Sequence, residues 1–181
     1  MTTAVNPYLS AVGTVEGPAL VVFVPGRPAP QGSKVAMPLY RGSGAAREFT
    51  GKVAMRESSA KGVDAWRNDV RAVVLAEWPE PPIEGGVALH ITFVMPRPAS
   101  LPKSRPTPAA TKRPDVDKLV RSTCDALTSA GLWLDDSQVI RERIDKRIAE
   151  PGEMPGAWLF VHGCDAVPAP AAPTTTHEED S

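Results

Sequence analysis

Three proline clusters divide this chain into segments. Many of its 20 prolines fall within residues 25–30, 96–114 and 168–173. Because proline fixes φ and lacks a backbone N–H, these stretches cannot form the interior of a helix or of a central strand. We therefore expect extended loops or linkers there, and we expect the regular elements to lie between them.

The first half of the chain shows the periodicities of two strands and a helix. The apolar run at residues 19–24 predicts a strand, and the alternation over residues 87–95 predicts another. Residues 42–62 are rich in small and charged side chains and indicate a mobile segment. The helix lies between that segment and Trp78 and ends where prolines follow. Its apolar stripe consists of Val63, Trp66, Val70, Val73 and Val74.

The second half predicts a further helix and two strands. The helix begins after Pro114 with Asp115 in the N-cap position, and Gly131 suits the position just beyond its C-terminus. Residues 138–148 carry isoleucines of one parity, which favours a strand, although their i, i+4 spacing is also compatible with a helix. Residues 157–162 form the last predicted strand.

This order of elements predicts an α/β (α+β) domain in which a small mixed β-sheet packs with two main helices. We expect a flexible N-terminal segment over residues 1–18, the folded domain over residues 19–164 and a disordered, acidic and proline-rich tail over residues 165–181. No apolar run is long enough to cross a bilayer and no signal-peptide pattern is present, so we expect a cytoplasmic protein without a membrane partner.

A few isolated residues suggest structural roles. The two cysteines, Cys124 and Cys164, form no C-x-x-C pair and indicate neither a zinc site nor a disulfide framework, so we expect both to be buried or half-buried. His90 falls on the polar side of its strand and is expected at the surface. The four tryptophans are expected in the core or at an interface.

Charge is distributed unevenly along the chain. Four of the acids lie in residues 165–181, and without them the net charge is +3 rather than −1. Positive residues that could follow a phosphate backbone gather in the second proline loop and the helix after it. A solvated loop would show the same composition. The group consists of Lys103, Arg105, Lys112, Arg113, Lys118 and Arg121.

Four aspartates flank the second predicted helix. Asp115 and Asp117 lie at its start, and Asp135 and Asp136 lead into the next strand. Taken singly, they are compatible with an N-cap, a surface ion pair to Arg121 and an acidic turn. If they converge, oxygen ligands without histidine suit Mg²⁺ or Mn²⁺, and such a site can hydrolyse a phosphodiester. The sequence alone leaves convergence open.

The order of these residues resembles the signature of the RusA family. That signature runs R-P-D-x-D-N-L-x-K, then D-A-L, then D-D-x-Q, and residues 113–140 read RPDVDKLVRSTCDALTSAGLWLDDSQVI. Arg27-Pro28 and the Gln-Gly-Ser-Lys run at residues 31–34 more weakly resemble the family's basic loop. The resemblance implies an endonuclease that uses Mg²⁺, or Mn²⁺, to resolve four-way (Holliday) junctions in DNA recombination and repair, acting as a homodimer.

The resemblance also implies roles for individual residues. Asp115, Asp117 and Asp136 would bind the metal, with Asp136 preferred to Asp135 on the family's spacing and on its shared parity with Ile140 and Ile144. Arg121 replaces the family's lysine, so it keeps a catalytic positive charge but cannot donate a proton as lysine could. Lys118 replaces the family's asparagine. The expected DNA contacts are Lys34, Arg105, Lys112, Arg113, Lys118 and Lys146.

Two other functions remain open at this point. A non-catalytic protein that binds branched DNA could retain the same scaffold, since Arg121 and Lys118 depart from the family pattern. Retention of the acids argues against it, because carboxylates repel phosphate unless a cation bridges them. A glycosyltransferase is suggested only by the D-x-D at Asp115 and Asp117, which is a weak signal.

Overall fold

The computed structural model describes residues 19–32, 34–57 and 60–164. The expected flexible segment at residues 1–18 and the expected disordered tail at residues 165–181 lie outside this part. The regular elements, in chain order, are β1 (Ala19–Pro25), β2 (Lys34–Arg41), β3 (Glu48–Glu57), α1 (Ala60–Glu77), β4 (Val87–Met95), α2 (Val116–Ser129), β5 (Val139–Ile148) and β6 (Gly156–Gly163). This set of helices and strands confirms the small α+β fold and the two predicted helices.

Four strands form a mixed sheet in the order β1-β6-β4-β5. β1 pairs antiparallel with β6, β6 pairs antiparallel with β4, and β4 pairs parallel with β5. α2 lies in the crossover between the two parallel strands, as such a connection usually requires. β5 is therefore an edge strand that runs beside α2, and this arrangement positions the candidate site.

The core lies between one face of the sheet and the two helices. Trp66 of α1 and Trp133, which follows α2, are almost fully buried, as expected for the tryptophans. Their indole N–H groups donate to Thr123 Oγ1 at 3.1 Å and to Thr128 Oγ1 at 2.7 Å, so neither ring buries an unsatisfied donor. Burial of each large apolar side chain contributes about 1.5–3 kcal/mol.

An ion pair joins the two helices at the edge of this core. Arg67 of α1 donates to Asp125 of α2 at 2.6 Å. Asp125 is the acid of the D-A-L triplet, and Ala126 and Leu127 after it are completely buried. The triplet therefore serves packing between α1 and α2.

Residues 42–62, where the sequence indicated only a mobile segment, contain β3 and the start of α1. β2 and β3 form a separate two-stranded sheet. Strand alternation was hard to recognise there because the described side chains of this hairpin are almost all exposed, so no buried face imposes an apolar pattern.

The prediction that His90 lies at the surface is wrong. Its side chain is 7% exposed, and its Nε2 lies 3.2 Å from Asp145 Oδ2. β4 is a central strand and is buried on both faces, so its polar positions are covered as well. Cys124 is buried and Cys164 half-buried, as expected, and neither forms a disulfide.

The parity argument for residues 138–148 holds only in part. The strand begins at Val139, and residues 136–138 form a 3-10 turn, so Asp136 does not share a strand face with any residue. Ile144 is half-buried against the core, whereas Ile140 is 42% exposed at the start of an edge strand. Within the described residues, no helix combines the length and the apolar character needed to span a membrane.

Candidate active site

Asp115 occupies the N-cap position of α2 but does not cap the helix. Its backbone is extended (φ −71°, ψ 142°), and its side chain accepts no hydrogen bond from the first turn. The carboxylate instead forms an ion pair with Lys118 at 3.2 Å, and both groups are about half exposed. A partly exposed carboxylate at the positive end of a helix remains available to a cation or to solvent.

Lys146 of β5 holds the backbone segment that leads into α2. Its ammonium group donates to the carbonyl oxygens of Pro114 at 2.8 Å and Lys112 at 3.0 Å. The end of β5 therefore lies beside the start of α2, so the strand and the helix run antiparallel. Of the residues expected to contact DNA, Lys146 thus already supports the backbone that carries Asp115.

A pocket of about 400 Å³ lies between α2 and β5, and we call it the α2–β5 groove. It brings together Asp117, Arg121 and Asp136, three of the four residues expected at the active site. Asp115 lies outside it, on the far side of the helix start. The lining residues are Val116, Asp117, Val120, Arg121, Cys124, Asp136, Val139, Glu142 and Ile144.

The adjacent Asp135 and Asp136 have different environments in the 3-10 turn. Asp135 accepts a hydrogen bond from Ser137 N at 2.9 Å, and hydrogen bonds from Ser137 hold the pKa of Asp135 below its usual value. Gln138 Oε1 accepts from Asp135 N at 3.0 Å, which completes a capping box. Asp135 is thus engaged in the turn, while the exposed Asp136 lines the groove.

Gln138 anchors this turn to the rest of the protein. Its Nε2 donates to Ile83 O at 3.0 Å and to Gly85 O at 2.9 Å, and its Oε1 also accepts from Leu134 N at 2.8 Å. These bonds fix the position of the segment that carries Asp136. The glutamine of the D-D-x-Q motif therefore has a structural function.

Glu142 is a groove residue that the sequence analysis missed. It is exposed and lies on the same parity of β5 as Ile144 and Lys146, the parity that faces α2. This shared parity is the sequence signal by which Glu142 could have been predicted as a groove residue. Burial raises the pKa of the Cys124 thiol to about 12, and the charges of Glu142 and Asp136 add to this effect. Both acids therefore lie close to Cys124 in the middle of α2.

The acids are spread along the groove. Asp117 is seven residues before Cys124, which corresponds to about 10 Å along the helix axis. The charges of Glu142 and Asp136 both act on the Cys124 thiol, whereas the end of β5 contacts Pro114 at the start of α2. Within residues 19–32, 34–57 and 60–164, no three acid, histidine or cysteine side chains are placed closely enough to hold one ion. A single ion shared by Asp115, Asp117 and Asp136 stays a prediction.

The donor chemistry of the groove fits a hard divalent cation. The charged oxygen atoms that line it are carboxylates of Asp117, Asp136 and Glu142, and no histidine lines it. Cys124 remains a neutral thiol at neutral pH, because of its raised pKa. Oxygen-only sites of this kind suit Mg²⁺ or Mn²⁺. Arg121 supplies one positive charge beside the acids.

A second pocket of about 690 Å³ lies on the other side of Asp115, and we call it the basic pocket. Arg113 and Lys118, both expected to contact DNA, line it together with Arg27, which the sequence analysis quoted only as part of a weak resemblance. A hydrogen bond of 2.9 Å from Gln31 N to Lys118 O ties the loop after β1 to α2. Two acids, Asp69 and Asp115, line this pocket as well, so its cations outnumber its acids by three to two.

The remaining residues expected to contact DNA line neither pocket. Lys112 and Arg105 are exposed in the loop between β4 and α2. Arg97 organises that loop, because its guanidinium donates to Thr107 Oγ1 at 2.7 Å and to the carbonyl oxygens of Pro102 and Arg105. Lys34 lies in β2, and its side chain lies outside the described part of the structure.

Comparison with known proteins agrees with the motif in residues 113–140. The family model described as Endodeoxyribonuclease RusA matches residues 42–154, which is more than half of the chain. Similar curated proteins include the crossover junction endodeoxyribonucleases of Enterobacteria phage 82, Escherichia coli K12 and Shigella sonnei, each 51% identical over 35 residues. These matches cover 19% of this chain and 29% of each relative. The chain therefore belongs to the RusA family of endodeoxyribonucleases.

Proposed function

We propose that this protein is a Mg²⁺-dependent endonuclease, with Mn²⁺ as an alternative ion, that cleaves four-way DNA junctions. The observation that carries the proposal is the α2–β5 groove, in which Asp117, Asp136 and Arg121 line one pocket. Family membership supplies the reaction class, and the curated relatives are named crossover junction endodeoxyribonucleases. The protein would meet its DNA in the cytoplasm.

Asp115, Asp117 and Asp136 are the proposed ligands for the cation. Asp117 and Asp136 line the groove together with Glu142, and Asp115 lies outside it at the start of α2. When bound, Mg²⁺ supplies positive charge that stabilises the phosphoryl group and the leaving oxygen. Without a cation, these carboxylates would repel the phosphates of DNA. Arg121 would stabilise the charge that develops on the scissile phosphate, since its side chain lines the same groove.

The basic pocket is the proposed site for phosphates that flank the scissile one. Arg27, Arg113 and Lys118 line it together with Asp69 and Asp115, and Lys118 forms an ion pair with Asp115. A strand that crosses the start of α2 would therefore place one phosphate over the acids and its neighbours over the cations. Lys112 and Arg105 on the adjoining loop would extend this contact, because phosphate binding by lysine and arginine is largely independent of sequence.

A homodimer is part of the proposal. Resolution of a four-way junction requires paired nicks in two strands, and two equivalent sites related by two-fold symmetry meet this requirement. Each protomer of such a dimer would contribute one α2–β5 groove.

The competing function is binding of branched DNA without cleavage. Arg121 and Lys118 favour it, because they stand where the family signature has lysine and asparagine. The acids that line the groove oppose it, since a binding surface alone would gain nothing from them.

One experiment separates the two functions. A synthetic four-way junction and a duplex of the same length are incubated with the full-length protein, in Mg²⁺ and in EDTA, and cleavage and gel shift are followed together. We expect cleavage of the junction only with Mg²⁺ and abolition of cleavage in Asp117→Asn, with binding intact or tighter because one negative charge is removed. Asp64→Asn, an exposed change on α1, is the matched control.

The outcomes are distinct. Cleavage by Asp117→Asn at the wild-type rate would overturn the assignment of Asp117. Junction binding without any cleavage in Mg²⁺ or Mn²⁺ would favour the non-catalytic function. Equal affinity for junction and duplex, together with cleavage of neither, would exclude both forms of the proposal.

A further inference from the structure

The β2–β3 hairpin projects from the domain without being covered by it. Its two strands pair with each other and with no strand of the main sheet. Successive side chains of a strand point to opposite faces, and Met37, Pro38, Leu39 and Tyr40 are all exposed. Within the described residues, neither face of this part of the hairpin is therefore covered.

Aromatic and cationic groups combine near the tip of the hairpin. The rings of Tyr40 and Phe49, which face each other across the strands, lie 5.8 Å apart between centroids and are tilted by 59°. The guanidinium carbon of Arg47 lies 4.1 Å from the centre of the Tyr40 ring. The two aromatic side chains are 45% and 50% exposed, so part of their surface is open to a ligand. We call these three residues the tip cluster.

A bulge in the middle of the hairpin positions this cluster. The register shifts between Pro38 and Tyr40, and Thr50 Oγ1 donates to Leu39 O at 2.9 Å across the shift. Gly51 within it has φ +73°, a conformation that favours glycine. A bulge bends a strand and increases its twist, so the tip of the hairpin has a different orientation from the strands beyond the bulge.

The charge of the hairpin favours nucleic acid over protein as its ligand. Residues 34–57 contain five lysines and arginines and two glutamates, a net charge of +3 in a chain whose net charge is −1. Exposed aromatic rings interleaved with positive charge stack on nucleobases while the cations contact phosphates. A two-stranded ribbon also has the width that the major groove of DNA admits.

We propose that Tyr40, Phe49 and Arg47 form a platform that stacks on nucleobases exposed at the branch point of DNA. Stacking needs a base without a neighbour on one side, and the branch point of a junction offers such bases whereas a continuous duplex does not. The proposal rests on the proposed function, because it assigns to the same substrate a contact outside the α2–β5 groove and the basic pocket.

The test uses the full-length protein in EDTA, which prevents cleavage, and 2-aminopurine as a fluorescent base. The probe is placed at the branch point of a four-way junction, in the middle of a duplex, and in a single strand. Tyr40→Leu and Phe49→Leu remove the aromatic ring but keep apolar volume, while Tyr40→Phe and Phe49→Tyr keep the ring. Val53→Ala, an exposed apolar position of the same hairpin, is the matched control.

We expect each leucine variant to lose junction affinity by on the order of tenfold, as loss of one stacked base implies. The fluorescence change at the branch point should be lost with it, whereas affinity for the duplex and the dependence of binding on salt should stay the same. The aromatic swaps and Val53→Ala should resemble the wild type. Arg47→Ala should weaken binding and also reduce the salt dependence.

Wild-type affinity and fluorescence in the double variant Tyr40→Leu, Phe49→Leu would overturn the platform. The platform would also be overturned if the double variant and Val53→Ala lost self-association in sedimentation to the same extent. The hairpin would then be a protein–protein surface. If the wild type neither prefers the junction in EDTA nor cleaves it in Mg²⁺, the proposed function fails. The single-stranded probe still decides on stacking in that case, because the leucine variants either lose its fluorescence change or retain it.

Discussion

The ammonium group of Lys146 lies 2.8 Å from the carbonyl oxygen of Pro114, to which it donates a hydrogen bond. A second bond, to Lys112 O at 3.0 Å, joins the same group to the loop before α2. Lys146 is half-buried, and Asp115 follows directly after Pro114 in the chain. β5 thus holds the backbone segment that leads into Asp115 and Asp117 of α2.

We predict that Lys146→Met acts on the position of Asp115 and Asp117 more than on DNA affinity. Loss of two hydrogen bonds from a charged donor should reduce the free energy of unfolding by about 1–3 kcal/mol. The cleavage rate at saturating junction should fall by more than the affinity, and the salt dependence of binding should change little. Single-turnover cleavage and gel shifts measure this, with the exposed Lys103→Met as control. A purely salt-dependent loss of affinity would instead make Lys146 a phosphate contact.

Arg121→Ala should slow cleavage by roughly two to three orders of magnitude, the usual effect of removing one donor that stabilises a developing charge. Arg121→Lys should retain part of the rate, because lysine keeps the charge but not the planar fork of donors. Junction affinity in EDTA should change by much less than the rate. If both variants cleave like the wild type, Arg121 is a solvated residue of α2.

Glu142→Gln tests whether this acid belongs to the cation site. Removal of one carboxylate should raise the Mg²⁺ concentration at half-maximal cleavage, and should weaken Mn²⁺ binding measured by paramagnetic resonance, by on the order of tenfold. Because the second readout needs no DNA, it separates a role in binding the ion from a role in binding the substrate. Glu84→Gln, an exposed change outside the groove, should leave both values unaltered. Unchanged Mn²⁺ binding in Glu142→Gln would remove it from the site.

Part of this site was predictable because local patterns specify it. The start of α2 at Asp115, the glycine beyond its C-terminus and the parity of Ile144 were each visible as a pattern in the sequence. Gly131 adopts φ +77°, as a residue beyond a helix C-terminus does. The motif further predicted Asp115, Asp117 and Asp136 as metal ligands, and this stays a prediction.

The rest depended on packing between distant segments. The groove that includes Glu142 exists only because α2 packs antiparallel to β5, and the basic pocket exists only because the loop carrying Arg27 meets α2 through Gln31 and Lys118. His90 was misjudged for a similar reason, since the burial of both faces of β4 follows from strand order. The hairpin was missed because exposed strands show no apolar alternation.

Substitutions of the basic residues near Asp115 should affect binding more than chemistry. Lys112→Ala and Arg113→Ala should each weaken binding to a junction and reduce the slope of log affinity against log salt by about 1, as expected for one lost phosphate contact. Arg27→Ala should behave like Arg113→Ala, since both line the basic pocket. Gel shifts over a range of salt concentrations measure the slope. An unaltered slope for Arg27→Ala would place its side chain away from the DNA.

The ion pair between Arg147 and Glu153 should make stability depend on pH in acid. Arg147 Nη1 donates to Glu153 Oε2 at 2.6 Å, and this hydrogen bond holds the pKa of Glu153 below its usual value of 4.5. A carboxyl group whose pKa is lower in the folded protein stabilises the fold above its unfolded pKa. That contribution is lost as the pH falls through the folded pKa.

Glu153→Gln should therefore reduce the free energy of unfolding at pH 7 by about 1 kcal/mol, because both partners are partly exposed and solvent screens them. The difference from the wild type should persist down to about pH 4.5 and shrink below it, as the wild-type carboxyl group becomes protonated and loses its charge. Urea unfolding at a series of pH values measures this, with the exposed Glu80→Gln as control. A difference of the same size at pH 7 and in strong acid would show that Glu153 acts through packing and its bond to Glu150 N rather than through its charge.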